Sequence, residues 1–365
     1  MKTLSKASIR AQNYSSNSPE WYCGFSYTSV TGIGPEEGIH RRDPSSIIEV
    51  DGILYVFYTR SSGPHFGRSQ IGNSASKLFP WDYADIYYST SKDGINWKEQ
   101  GIAVSRGESG SFDSRTVCTP DVLAHEGKYY LVYQTQTEQE TYTGRSESVG
   151  MAIADSPNGP WEKVNHTILT PMEDGEWFGD NATNYNSGMF RGVTHDPSLY
   201  FYKNAWWLYY KCGYGYEGIV SEGGHKYAGP DTRWGVAISN KPEGPYRHSD
   251  LNPITNSGHE TMLWHFNGGI AALLNRDGPE QDTIQWASDG LNFEIMSHVH
   301  NTPQAPGAYR AEISYQHPLD GVRWGLCHID ERGALWNHIV RFDTDPRFSY
   351  KFGLGYASTN TASIF

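Results

Sequence analysis

A repeated order of residues constrains the fold of this chain more than any other feature. In five segments an acidic residue is followed by an apolar strand, a turn and an aromatic strand, and a third strand comes after each of them. Such a unit cannot bury its apolar faces alone, so five units in sequence predict an all-β fold, a five-bladed β-propeller. The acidic residues that open the five segments are Asp43, Asp121, Asp196, Glu260 and Glu312.

The composition excludes several classes of function. A net charge of -12 over 365 residues argues against a nucleic-acid partner, because phosphates would be repelled. No apolar stretch is long enough to span a membrane, and the four cysteines lie far apart without a CxxC pair, so neither a membrane partner nor a zinc or disulfide framework is expected. Since the start lacks an apolar run of signal-peptide length, we expect a cytoplasmic location, or a periplasmic one if a leader was removed.

The repeat also predicts where the acids meet. The first strand of each blade lines the central channel of a propeller, so five equivalent acids would surround one axis. Like charges so close raise one another's pKa, which calls for a catalytic function, a cation or compensating basic groups. Taken singly, an acid at the start of a strand can also simply cap a turn. The basic residues near these acids are Arg41, Arg42, Arg115, His195, His259 and Arg310.

A channel lined by acids suits glycoside hydrolysis, although a scaffold or a binding platform remains open from the fold alone. The reaction needs one group that gives a proton and another that activates water or attacks carbon. A histidine can serve as the acid, because it titrates between pH 5 and 8. Trp81, in the long insertion "LFPWDYAD", is the aromatic residue that packing needs alone do not explain, so we expect it to stack on a sugar.

Several motifs, in this order, resemble glycoside hydrolase family 117, the exo-acting α-1,3-(3,6-anhydro-L-galactosidases) or α-neoagarobiose hydrolases. They comprise a Ser-x-Ala-x-x-Arg start, two Asp-Pro-Ser triplets and a Ser-Gly-His-Glu stretch, and together they run over nearly the whole chain. The matching segments are "SKASIR" (5 to 10), "RRDPS" (41 to 45), "FPWD" (79 to 82), "YYLVYQT" (129 to 135), "HDPSL" (195 to 199), "NPITNSGHE" (252 to 260) and "DGLNFEIMSH" (289 to 298).

The resemblance implies a domain organisation and a partner. It implies an N-terminal helical segment, residues 1–25, that is swapped between the subunits of a homodimer through Ser5, Ala7 and Arg10. Residues 26–350 would then form the propeller, with a C-terminal tail at 351–365. Without the resemblance, "LSKASIRA" is an ordinary short surface helix.

The resemblance also implies roles for site residues. Asp43 would be the general base that activates water, His259 the general acid, and Asp196 the carboxylate that orients the acid or tunes its pKa. Glu260 falls in the same site, and whether His259 or Glu260 is the acid stays open. The implied outcome is inversion, with 3,6-anhydro-L-galactose released from the non-reducing end of neoagaro-oligosaccharides. The implied substrate contacts are Trp81, His195, Gln134, Asp121 and Arg115.

Alternatives remain at this level. A related propeller hydrolase of another red-algal galactan, or of arabinan or xylan side chains, would use a Glu as acid, and Glu260 supplies one. A non-catalytic carbohydrate-binding propeller is the alternative from another class. No organic cofactor is expected, whereas a divalent cation near the propeller centre is linked with the family and agrees with the acidic ring.

Overall fold

The fold is almost entirely β-structure, which confirms the all-β prediction. The computed structural model describes residues 3–12, 22–65, 77–138, 147–171, 194–214, 231–276, 278–310, 322–329 and 336–345. One helix, α1 (Lys6–Gln12), precedes the strands, and no helix in these ranges is long and apolar enough to cross a membrane. The predicted C-terminal tail at 351–365 and Glu312 lie outside the described residues.

The strands pair into five four-stranded antiparallel units that follow one another along the chain. Strand β1 (Tyr22–Ser29) comes first in sequence and belongs to the last unit. Unit 1 contains β2 (Ile39–Arg42), β4 (Ile53–Ser62), β5 (Asp85–Ser91) and β6 (Trp97–Val104), with the short β3 (Ile48–Val50) paired to β4. Unit 2 contains β7 (Thr116–His125), β8 (Lys128–Gln136), β9 (Ser148–Ala154) and β10 (Glu162–Lys163). Unit 3 contains β11 (His195–Tyr202), β12 (Ala205–Tyr214), β13 (Asp231–Ser239) and β14 (Arg247–His248).

The last two units share one sheet. Unit 4 contains β15 (Met262–Phe266), β16 (Gly269–Leu274), β17 (Thr283–Ala287) and β18 (Glu294–His300). Unit 5 contains β19 (Gly307–Ala308), β20 (Trp324–Ile329), β21 (His338–Thr344) and β1. Strand β1 is antiparallel to β21 and parallel to β18. The first strand of the chain therefore completes unit 5, whose other strands come last in the sequence.

Apolar clusters between consecutive units close the ring. Each cluster draws side chains from two neighbouring units, and the pair formed by units 5 and 1 is included. In that last cluster Leu326 and Ile339 of unit 5 pack with Val56 of unit 1, and all three are fully buried. The alternating strands read from the sequence therefore bury both faces of every unit, as a closed ring requires.

One backbone feature repeats at the start of every unit. Two residues of the innermost segment face one residue on the second strand, which is a β-bulge. In four units the first of these two residues precedes a proline and has a φ between 45° and 49°, in the left-handed region. We call the first of these two residues the bulge residue. The residue just before it in the chain pairs with a residue on the second strand, and we call that partner the opposing residue. From unit 1 to unit 5 the bulge residues are Asp43, Thr119, Asp196, Glu260 and Ala305, and the opposing residues are Thr59, Gln134, Lys211, Asn275 and His328.

The prediction that an acid occupies the equivalent position in all five units is wrong for units 2 and 5. In unit 2 the bulge residue is Thr119, and Asp121 lies two residues further along the strand. In unit 5 the bulge residue is Ala305, and the innermost strand β19 ends before Glu312. The equivalent position therefore carries a carboxylate in units 1, 3 and 4.

Asp121 instead takes part in a network that crosses the ring axis. Its Oδ2 lies 3.0 Å from Arg310 Nη2 and accepts a hydrogen bond of 2.7 Å from the Ser198 hydroxyl, while its Oδ1 accepts one of 3.1 Å from the Ser46 backbone N–H. Arg310 also donates to the Tyr200 hydroxyl, which donates to the Leu263 carbonyl. These residues come from all five units, so the network holds the units together at the centre.

Helix α1 docks against loops around unit 4 of the same chain. The Ser5 hydroxyl donates to the Pro253 carbonyl over 2.7 Å, and the Lys6 backbone N–H donates to the Asn292 side chain over 3.1 Å. Ala7 is fully buried. The Arg10 side chain lies outside the described part, and the structure of a single chain leaves the swap between subunits a prediction.

Replacing Arg310 with Met should destabilise the fold strongly, because the change leaves the Asp121 carboxylate buried without its cation. Losing one partner of a buried ion pair costs about 3–5 kcal/mol of unfolding free energy. Urea denaturation measures this change. The control is Arg247→Met, which removes an exposed pair with Asp250 and should change stability by less than about 1 kcal/mol. Equal effects of the two substitutions would contradict the central role of Arg310.

Candidate active site

The starts of the five units line an open cavity. Its wall contains every bulge residue, so the repeated backbone feature brings together side chains from distant parts of the sequence. The Asp121–Arg310 pair lies in the same wall. The cavity carries three carboxylates from the bulge positions, which are Asp43, Asp196 and Glu260.

Asp43 is held as an anion at the wall of the cavity. Its carboxylate lies 3.2 Å from His328 Nδ1 and 3.6 Å from Arg42 Nε. Burial raises the pKa of Asp43, but the Arg42 charge, the contact with His328 and a hydrogen bond with Thr59 outweigh burial and hold this pKa well below its usual range. An ionised carboxylate in this position can accept a proton from a bound water. Arg41, which was the other candidate partner, pairs with Glu99 instead.

Asp196 is held by a buried lysine. Lys211 Nζ lies 2.5 Å from Asp196 Oδ2, and both residues belong to unit 3. Burial lowers the pKa of Lys211, but the charges of Asp196 and Glu260 outweigh it and raise this pKa above its usual value. The neighbouring His195 contacts Glu147, which is almost fully buried. Consecutive residues of the strand thus each have a partner of their own.

Glu260 and His259 lie side by side at the start of unit 4. Glu260 is 8% exposed, and burial raises the pKa of its carboxyl group. The nearby charges of His328 and His259, followed by those of Arg276 and Arg42, outweigh burial and lower the pKa of Glu260. His259 is half-buried, and its backbone N–H donates to the Asn275 carbonyl over 2.6 Å. Glu260 is part of the cavity wall, whereas His259 is not among the residues that line it.

Trp81 is linked to Asp43 through Arg42. The Arg42 guanidinium lies 5.0 Å from the centre of the Trp81 ring, and the Phe79 ring stacks on the indole at 4.6 Å. The two stacked rings form a partly exposed apolar surface beside the catalytic candidate. This surface has the flat aromatic shape on which sugar rings stack.

Gln134 and Arg115 are buried behind the wall of unit 2. The Gln134 Oε1 accepts a hydrogen bond of 3.2 Å from the Thr119 hydroxyl, so Gln134 supports the bulge residue of its unit. Arg115 Nε donates to Asp82 Oδ1 over 3.0 Å. Arg310 is therefore the cation beside Asp121, whereas Arg115 pairs with Asp82.

Sequence reasoning missed His328, Lys211 and Thr119. Lys211 had a usable signal, because a lysine in the aromatic strand "AWWLYYKCGY" is rarely buried unless it is paired. Thr119 precedes a proline as Asp43 and Asp196 do, so the proline was the better marker of the repeat. His328 had no comparable signal, since it reaches Asp43 across the junction between unit 5 and unit 1.

Asp43, Glu260 and His328 also fit a metal ion. One potential ligand atom from each residue lies within 4.8 Å of the other two. Glu260 Oε2 and His328 Nε2 are buried and lack a hydrogen-bond partner among the described residues. Two carboxylates and one imidazole form a donor set that divalent cations accept.

Comparisons with known proteins agree with a carbohydrate-active fold. Residues 38–191 match the model of glycosyl hydrolases family 43. The chain is similar to the structure of Zg3597, a family 117 glycoside hydrolase of the marine bacterium Zobellia galactanivorans, with 33% identity and a TM-score of 0.76. That match covers 95% of this chain and 99% of the other. No protein with a curated description matches the chain.

More distant structures share the fold alone. A sucrose-6-phosphate hydrolase from Lactobacillus gasseri is 14% identical with a TM-score of 0.57, over 92% of this chain and 62% of that one. A GH43_1 enzyme from Xanthomonas citri, in complex with xylotriose, is 13% identical with a TM-score of 0.50, over 86% of this chain and 90% of that one.

Proposed function

Because this chain belongs to glycoside hydrolase family 117, we propose that it is an inverting exo-acting hydrolase of neoagarobiose and neoagaro-oligosaccharides. It cleaves the α-1,3 bond and releases 3,6-anhydro-L-galactose from the non-reducing end. The observation that carries the proposal is the ionised Asp43 carboxylate in a cavity that Asp196 and Glu260 also line, with His259 next to Glu260 in the chain.

In this mechanism Asp43 accepts a proton from the attacking water. Its contacts with Arg42 and His328 keep the carboxylate charged and fixed, so it is ready to act as the base. Trp81 and His195 contact the sugar, with Trp81 as a stacking surface. Gln134 and Arg115 act from behind, by holding the walls of the cavity in place, and Asp121 is itself part of the wall.

His259 is the proposed proton donor. The lowered pKa of Glu260 favours its charged form, which has no proton to give. This supports His259 as the donor, with Asp196 as the carboxylate that orients it.

The proposal predicts that the protein hydrolyses neoagarobiose and that two substitutions lower its activity. Purified protein should convert neoagarobiose to galactose and 3,6-anhydro-L-galactose, and NMR of the first product formed should show inversion. Asp43→Asn and His259→Ala should each lower kcat/KM by about 10²-fold or more, because each removes an acid or base group. His166→Ala, at an exposed position, is the matched control and should leave the rate unchanged.

Two other outcomes identify the alternatives. If His259→Ala retains activity while Glu260→Gln loses it, the donor is Glu260, as expected of a related hydrolase of another galactan or of arabinan or xylan side chains. A substrate panel that includes these fragments then identifies the sugar. If the wild type releases no product from any of them but still binds sugar, the protein is a carbohydrate-binding propeller and the hydrolase proposal is wrong.

We also propose that the five units are propeller blades and that the chain forms a homodimer by exchanging helix α1. The contacts of Ser5 and Ala7 provide a docking site that can be filled by the helix of a second copy. Light scattering should give twice the mass of one chain, which is 41.0 kDa. Deleting residues 1–12 should give the mass of a single chain, whereas a full-length protein with that mass would contradict the exchange.

A divalent cation is proposed at Asp43, Glu260 and His328. When bound, it would offset the two carboxylates and bind oxygen ligands of the sugar or of water. Metal analysis of the purified protein by mass spectrometry should find about one divalent ion per chain, and His328→Ala should reduce this content. His125→Ala, outside the site, serves as the control. An absence of metal after incubation with excess divalent salts would contradict this proposal.

A further inference from the structure

A buried aspartate holds the turn that carries the two stacked rings. Asp82 is fully buried and follows Trp81, whose ring stacks on that of Phe79 at 4.6 Å. We call these two rings the aromatic surface. We propose that Asp82 is a positioning residue for substrate binding, which fixes the aromatic surface beside Asp43. The inference rests on the proposed function, in which Trp81 contacts the sugar, and deepens it.

The two oxygens of the Asp82 carboxylate bind different parts of the chain. Its Oδ2 accepts hydrogen bonds of 2.8 Å from the Leu78 backbone N–H and 3.1 Å from the Phe79 backbone N–H. The Asp82 backbone N–H donates in turn to the Phe79 carbonyl over 3.1 Å. Its Oδ1 accepts a hydrogen bond of 3.0 Å from Arg115 Nε, at the start of unit 2. One side chain therefore shapes the turn and attaches it to the neighbouring unit.

A second contact joins the same turn to unit 2. The Thr116 hydroxyl donates to the Trp81 carbonyl over 2.6 Å. Thr116 is fully buried and follows Arg115 directly, so consecutive residues of unit 2 hold the turn at Trp81 and at Asp82. With the backbone attached in this way, the stacked ring of Phe79 limits the rotation of the indole.

The deep burial of the ion pair favours a positioning role. The side chains of Asp82 and Arg115 are 0% and 3% exposed. Removing two charges from water costs about as much free energy as their attraction returns, so an intact buried pair adds little net stability. Each charge is nevertheless satisfied in one arrangement only, and in this protein that arrangement fixes the turn that carries the aromatic surface.

The environment of Asp43 does not depend on this turn alone. Arg42, which contacts both Trp81 and Asp43, also donates to the Asn337 side chain over 3.0 Å. His328 contacts Asp43 from unit 5. A displaced aromatic surface should therefore weaken sugar binding more than it changes the proton transfer at Asp43. The expected result is a rise in KM with a smaller change in kcat.

Asp82→Asn tests the role, because an amide has one acceptor oxygen and cannot serve both the turn and Arg115. We expect KM for neoagarobiose to rise by about threefold to tenfold, as for the loss of one aromatic contact, with kcat nearly unchanged. In the double variant Phe79→Ala, Trp81→Ala, which lacks the aromatic surface, adding Asp82→Asn should not change KM. Asp93→Asn is the matched control, since Asp93 also accepts from two backbone N–H groups of a turn in unit 1 but does not line the cavity.

For an active enzyme the KM values decide. A wild-type KM in Asp82→Asn overturns the inference. An equal rise in KM without the aromatic surface also overturns it, because that result indicates a general loss of structure. If Asp82→Asn does not fold, Thr116→Val takes its place in the same measurements, since it removes the hydroxyl that donates to Trp81.

An inactive wild type separates the inference from the proposed function. If the wild type hydrolyses no substrate of the panel, the proposed function fails, and a crystal structure of the folded variant decides the inference. Displacement of the Trp81 indole by about 1 Å or more supports the positioning role. An indole in its wild-type position overturns it.

Discussion

The ion pair between Asp121 and Arg310 is the interaction on which the rest of the structure depends. Apolar clusters hold each unit to its neighbours, but they act pairwise around the ring. The hydrogen bonds of Asp121 and Arg310 reach across the axis, where they join units 1, 2, 3 and 5, and the Tyr200 hydroxyl extends the network to unit 4. A carboxylate so deeply placed tolerates burial because the guanidinium and the donors of two serines satisfy it. With this centre fixed, the starts of the innermost strands have fixed distances from one another.

The bulge at the start of each innermost strand directs side chains toward the cavity at the centre. A non-glycine residue in the left-handed region is unfavourable, and such strain tends to persist where the surrounding structure over-determines it and function needs it. In this protein four units have a non-glycine residue in the left-handed region at equivalent positions, each before a proline. The result is that side chains which would alternate along a regular strand are turned into the cavity.

The sequence predicted the repeat well, because alternation, turn residues and a recurring order of strands are local properties. Matching acids to acids places Asp121 at the equivalent position in unit 2, where the structure has Thr119. Matching the prolines at 44, 120, 197 and 306 gives the register of the structure. The residues that pair with the carboxylates could not be predicted from the sequence in the same way. Lys211 lies opposite His195 through strand pairing, and His328 reaches Asp43 from the other end of the chain, so both depend on tertiary structure.

The opposing residues explain how five similar units form one asymmetric site. In units 1, 2 and 3 each of these residues holds the bulge residue of its own unit. In unit 5 the bulge residue is Ala305, which has no polar side chain to hold, and the opposing His328 reaches across to Asp43 of unit 1 instead. A single small residue in one repeat therefore gives the neighbouring repeat a second basic partner. Asp43 thus has both Arg42 and His328, whereas Asp196 has Lys211, so two identical Asp-Pro-Ser motifs have different partners.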